Sequence, residues 1–228
     1  MSTLANYLES EGIATCLVSL VAHQSDAGRP PRVLWVPFEL GRPLGAPQHA
    51  DFQRDVLRRV LHLLDAETGP VREDFERDAP LARDNPDWVP PSLTAAHSVA
   101  DELAQVAGMH AEFLDTVGRS TAGISGVSLS EAARLIDGFE SGYRPEDATW
   151  NMSAMLRYRF AADDLKAHYL EAATRGRVDA SSRQLQTWLW NHTLLGRKLK
   201  AFAEASVDCG DKRRETVGGR FLVPRDWR

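Results

Sequence analysis

Apolar positions fall in two tight runs near the start of the chain and then spread into helical periodicity over most of the remainder. The runs are IATCLVSLVA, residues 13–22, and the VLWV of RVLWVPFELGRPLGAP, residues 32–47. Short runs rich in β-branched residues and bounded by Gly and Pro predict buried strands, here over 13–21 and 33–36. A short helix over 3–10, stopped at Gly12, precedes the first strand, and a helical turn over 23–27 follows it. Arg29, Pro30 and Pro31 then force an extended entry into the second. Over 51–65, Phe52, Val56, Leu57, Val60, Leu61 and Leu64 recur at helical spacing opposite Arg54, Arg58 and Arg59, which predicts a helix covering the sheet.

The pattern breaks from residue 66 to 93, where Gly69, Pro70, Pro80, Pro86, Pro90 and Pro91 interrupt any regular element and acidic residues crowd between Glu73 and Asp87. Residues 69–93 read as a Pro-rich acidic linker between an α/β segment, 1–68, and a helical region, 94–228. Helices are expected over 94–117, 130–140, 151–174 and 181–207. Ser128 and Ser130 are alternative N-caps for the second, and Gly118, Gly142 and Gly176 stand at C-cap positions. The FLV near the C-terminus, within 220–224, is expected to return as an edge strand. The predicted fold class is α/β, a small Rossmann-like parallel sheet layer followed by a mainly α-helical region.

Composition narrows the chemistry. Of 228 residues, 43% are hydrophobic and 26% charged, ordinary for a globular domain. A net charge of −5 disfavours a nucleic-acid partner, and no apolar run approaches the roughly 20 residues that span a bilayer. With Glu9 and Glu11 where a secretory leader would need a basic flank and an apolar core, a cytoplasmic protein is expected. Two cysteines exclude a disulfide framework and a zinc site built on paired thiols. Glycine-rich dinucleotide fingerprints, phosphate-binding loops, nucleophile elbows and His-Glu-x-x-His motifs do not occur, so no cofactor is expected.

The candidate site is the bend PFELGRPLG after the second strand. Phe38, Gly41, Arg42, Pro43, Leu44 and Gly45 form a restricted turn able to hold backbone N–H groups and Arg42 toward a carboxylate or phosphate. The plainer reading is a strand-to-helix connection whose Phe38 and Leu44 plug the core. His23 follows the first strand, at the sheet edge where open α/β proteins bind ligands. It is a candidate proton donor or a polar cap. Cys16, inside a strand, is a candidate thiol or a small buried hydrophobe. Cys209 has basic neighbours near the chain end. Asp163, Asp164, His168 and Glu171 share two helical turns, which invites a metal reading; surface pairing is the usual explanation, no second helix carries a matching Glu-x-x-His, and no metal site is assigned. Trp188 belongs to a core stripe, whereas Trp190 falls off it and is expected at a partner interface.

The stretches LESEGIAT with LVSLV, PPRVLWVPFELGRPLG and DFQRDVLRRVLHLLD resemble the C-terminal part of the substrate-reducing subunit of the glycine/betaine/sarcosine/D-proline reductases, the selenoprotein B family. The resemblance covers about the first 65 residues. In that family a selenocysteine or cysteine motif precedes this segment, and the chain starts beyond it. The resemblance therefore implies a component of a reductase complex: the bend contributes to a pocket for a small anionic substrate, and a Cys- or Sec-containing partner subunit supplies the redox centre. It also implies reductive cleavage of a bond alpha to a carboxylate, with electrons from thioredoxin-like donors. A homo-oligomer, or a non-catalytic binding or assembly protein that kept only the scaffold, is the alternative.

Overall fold

A computed structural model describes residues 1–38, 41–47, 49–80, 84–145, 153–177, 179–224 and 227. The chain is mixed α/β, a three-stranded parallel sheet followed by helices, and divides into two compact units, Met1–Asn85 and Pro86–Arg228. The division falls inside the Pro-rich stretch. No helix among the described residues is long and apolar enough to cross a membrane.

In the first unit α1 (Ser2–Ser10) precedes β1 (Leu17–Ser19), α2 (Ala22–Gly28), β2 (Arg32–Trp35), α3 (Ala50–His62) with a 3-10 turn (Leu63–Asp65), and β3 (Val71–Asp74). The strands lie in the order β1-β2-β3, both pairings parallel. β3 corrects the linker expectation: with one apolar residue in VRED it has no apolar pattern to betray it, yet the Val71 N–H donates to Pro31 O at 2.8 Å and opens the ladder. Helix α3 buries Phe52, Val56 and Val60 against Leu34 and Val36 of the β2 segment. At the opposite edge Arg32, nearly buried, donates to the Ala66 carbonyl (2.8 and 3.2 Å) and to Glu9 (2.7 Å), so β2 begins clamped between α1 and the end of α3. The Thr15 backbone N–H, also on Glu9, is the main reason that carboxyl is held below its usual range.

The second unit contains α4 (Val99–Val117), α5 (Leu129–Gly138), α6 (Ala154–Thr174), α7 (Ser182–His192), α8 (Leu194–Ala205), α9 (Lys212–Thr216) and a π-helical turn (Val217–Leu222). Ser98 with Asp101 and Ser181 with Gln184 form capping boxes that start α4 and α7, and Ser128 caps α5, which settles the two alternatives there. The expected start of α6 at residues 151–152 lies outside the described residues.

Two expectations fail here. The single helix 181–207 breaks at Thr193, whose hydroxyl accepts the Gly196 N–H (2.9 Å) and donates to Leu189 O (2.6 Å), capping α8 and closing α7. The edge strand at 220–224 is instead the π-helical turn, with Leu222 and Val223 buried in the helical core rather than exposed on a sheet edge.

Candidate functional site

The three strand ends form one row. Ser19, Trp35 and Asp74 are register partners at the carboxyl ends of β1, β2 and β3, and alternation along parallel strands turns them to the same face. This is the edge that feeds the bend after β2 and the turn carrying His23 after β1. Strand order does not reverse among the described strands, so the crevice that a reversal opens in doubly wound sheets is not what marks this edge. Along the row, the buried Ser25 hydroxyl of α2 donates to Ser19 Oγ at 2.6 Å. Arg72 grips Asp74 with two N–H groups (2.8 and 3.2 Å), donates to Asp26 of α2, and lies 5.9 Å from the Trp35 ring centroid. Asp74 first, then Asp26, raise the Arg72 pKa, so this guanidinium is spent on joining β3 to α2. Among the described residues the buried Trp35 Nε1–H has no acceptor. A donor-only group left this way carries an unmet desolvation cost.

The bend is anchored at both ends. Phe38 is 8% exposed and meets Phe52 and Phe75 at ring-centroid distances of 5.5 and 5.7 Å. Leu44, half-buried, packs on the same core. Thus the plainer reading holds for Phe38 and Leu44, whose side chains plug the core. Between them the Gly45 N–H donates to Arg42 O (2.9 Å), and Gly41 and Gly45 take φ of +90° and +83°. At Gly45 a Cβ would stand 2.7 Å from the Phe52 ring, so glycine is required twice over. Pro43 is exposed; Arg42 is half-buried and already engaged, so any ligand would have to share it. Residues 39 and 40 lie outside the described residues.

His23 is exposed in the first turn of α2. Cys16, half-buried just before β1, packs against the sheet core, and burial raises its thiol pKa despite an opposing pull from Arg32. A thiol held protonated is a poor nucleophile. Exposed Cys209 sits 3.8 Å from Asp211 O. A shallow cleft of about 520 Å³ beside α3 and the end of β3 holds Arg58, Arg59 and Arg77, but Asp55 and Glu73 pair with them, and of the described bend residues neither Phe38 nor any of 41–45 lines it.

In the helical unit the acidic and histidine residues of α6 are not a surface group. Asp164, 2% exposed, accepts from the N–H groups of Gly123 (2.7 Å), Ile124 (2.8 Å) and Ser125 (2.9 Å) and from the Ser125 hydroxyl. Glu171 accepts from Thr121 N and Oγ1, both at 2.7 Å, from Ser120 Oγ at 2.7 Å, and pairs with His110 Nε2 at 2.8 Å. Burial pushes the Glu171 carboxyl up, but these donors outweigh it and the net shift is downward. Two carboxylates one face apart thus hold the α4–α5 connection onto α6. Asp163 alone behaves as a surface residue, pairing with Lys166 (2.7 Å) and Arg159 (3.7 Å).

His168, between the two carboxylates, is 5% exposed, its ring centroid 3.8 Å from that of His110, and among the described residues neither ring nitrogen has a partner. Burial, then the His110 charge, lower its pKa to about 4 against a smaller opposing pull from Glu171. Among the described residues no three His, Cys, Asp or Glu side chains converge to hold a metal ion. The sequence pattern at 164, 168 and 171 was visible; His110 on α4 was the missed member, although Val99, Glu102, Val106 and His110 recur along one buried face and flag two ionisable groups in the core.

Trp190 is corrected outright. It is 1% exposed, in the core with Trp188, and its indole N–H donates to Gln186 at 2.7 Å. The break at Thr193 folds α8 back so that α7 packs on both α6 and α8, covering the side of α7 that one long helix would have left open. No family model matches the chain, and neither does any curated protein or solved structure.

Proposed function

We propose that the α/β unit provides the substrate rim of a selenoprotein B-like reductase assembly in the reducing cytoplasm, with a partner chain bringing the reactive thiol or selenol. The observation that carries this reading is the junction at the carboxyl end of β2. There a strand in parallel register with both neighbours runs directly into a proline- and glycine-bent turn fixed by Phe38, and the segment bearing His23 leaves β1 at the same edge. The resemblance of residues 1–65 supports it from the sequence side.

Within this reading Arg42 and the backbone N–H groups of the turn bind the substrate carboxylate, and His23 orients the substrate or protonates the leaving group as the bond alpha to the carboxylate is cleaved. The electron pair for that cleavage comes from the partner's thiol or selenol and is replenished by a thioredoxin-like dithiol. Cys16, its thiol kept protonated by burial, has no part in the chemistry.

The test is calorimetric titration of the full chain with glycine, sarcosine, betaine and D-proline. At least one should bind, and Arg42→Gln should weaken it about tenfold or more, the usual cost of a lost charge-assisted hydrogen bond. Failure of all four, or equal binding by the variant, overturns the proposal. The raised Cys16 thiol favours one second reading, a binding protein without chemistry of its own; ligand binding that never leads to turnover with any thiol or selenol partner would select it.

A further inference from the structure

The helical unit contains a cleft of about 470 Å³ between α5, α6, α8 and α9, a volume within the range of small-molecule sites. Tyr158 is 1% exposed and lines the cleft, and among the described residues no hydrogen bond engages its hydroxyl. The ring is fixed by Phe139 (4.7 Å between centroids) and stacked on Phe202 (4.3 Å). Burial, then the Glu140 carboxylate, push the phenol well above its ordinary range against an opposing pull from Arg214, so it keeps its proton and can serve as a donor. A buried phenol normally finds a partner, and this one belongs to the cleft lining.

Two ion pairs flank it and differ in kind. Asp137 binds Lys198 at 2.5 Å and also accepts from the Val99 N–H (2.9 and 3.1 Å), so it caps α4 and is structurally committed. Glu140 binds Arg214 at 2.5 Å but is 60% exposed, whereas Arg214 is held independently by Ser206 Oγ (3.2 Å) and by the Phe202 ring 4.7 Å away. Glu140 can therefore swing out while Arg214 stays, beside the same Phe202 ring on which Tyr158 stacks. The walls between are apolar: Ile136, Ala201 and Ala205.

We infer that this cleft binds a small monocarboxylate with an apolar body: the carboxylate replaces Glu140 on Arg214 and accepts a hydrogen bond from Tyr158, and the body lies on Phe202, Ile136 and Ala205. A monoanion preserves the charge balance of the two pairs when it displaces Glu140; a phosphate dianion does not. The site belongs to the helical unit and owes nothing to the sheet-edge reading above.

Phenylacetate is the probe, titrated into the full-length protein with phenylacetamide as the neutral control. Phenylacetate should bind with one-to-one stoichiometry and the amide about tenfold more weakly. Tyr158→Phe keeps the ring and its aromatic contacts, and should fold as the parent does while losing about tenfold in affinity. Glu140→Gln removes the resident competitor and should tighten binding several-fold, a gain that a purely structural role for Glu140 does not produce. Arg42→Gln should leave phenylacetate binding unchanged, which separates this site from the sheet edge. No binding up to about 10 mM, equal binding of acid and amide, an unaffected Tyr158→Phe, or weaker binding by Glu140→Gln overturns the inference.

Discussion

Replacing His168 with leucine should stabilise the protein, and more so in acid. The imidazole is 5% exposed, lies against His110 of α4 and feels Glu171 on its own helix, and among the described residues both its nitrogens are without partners. Each buried unmet polar atom costs about 1–3 kcal/mol, so His168→Leu, of similar volume and without either nitrogen, should gain about 2–6 kcal/mol at pH 7.5. The pH term follows from the pKa of about 4 in the folded chain against an ordinary 6.5. Because the folded value is the lower one, the unfolded chain takes up the proton first. The penalty is absent above pH 6.5, grows as the pH falls through the window and is complete below 4. At 1.36 kcal/mol per unit it reaches about 2.5 kcal/mol at pH 4.5. Carboxylates remote from His168 titrate in both proteins and largely cancel in the difference. Urea unfolding followed by far-UV circular dichroism at pH 7.5 and 4.5 should therefore show the gap between variant and parent widening by about 2.5 kcal/mol on acidification. A gap that does not change with pH, or a variant less stable than the parent at pH 7.5, would refute the burial of an unpaired neutral imidazole.

Two further outcomes are expected. Glu102, 2% exposed, accepts from the Leu194 and Leu195 N–H groups at 2.6 and 3.0 Å and from the Tyr169 hydroxyl at 3.2 Å; Glu102→Ala strands these donors and should cost roughly 3 kcal/mol in urea unfolding, with protection of the Leu194 and Leu195 amides lost first. Cys16, held protonated by burial, should react with iodoacetamide at pH 7.5 more slowly than exposed Cys209, as read by mass spectrometry; faster labelling of Cys16 would reverse the assignment of its thiol as inert.

The elements legible in the sequence are those whose side chains carry their own pattern. β1, β2 and α3 have apolar residues at strand and helix spacing, and α5 begins at Ser128, one of the two serines offered as its cap, whereas α4 starts at Val99, five residues later than its pattern suggests. β3 escapes because VRED is held by backbone pairing to β2 and by Arg72 bridging Asp74 and Asp26, neither of which leaves an apolar signature. The C-terminal FLV is strand-like in composition, but Leu222 and Val223 are drawn into the helical core. Trp190 misleads for a related reason: placing it off the stripe assumes one continuous helix, and the chain turns at Thr193. As for the site, the bend's strained positions at Gly41 and Gly45 are readable from residue type, whereas Tyr158, Glu140 and Arg214 come from three separate elements and meet only on folding.

The claim that the sheet edge binds a small carboxylate is tested most directly by titrating D-proline and glycine into isotope-labelled full-length protein and following backbone amide shifts. Saturable shifts concentrated at Gly41, Arg42 and Gly45 and at the strand ends Ser19, Trp35 and Asp74, abolished by Arg42→Gln, are the predicted result. Saturable shifts confined to other parts of the chain, or none at any concentration of either ligand, would contradict it.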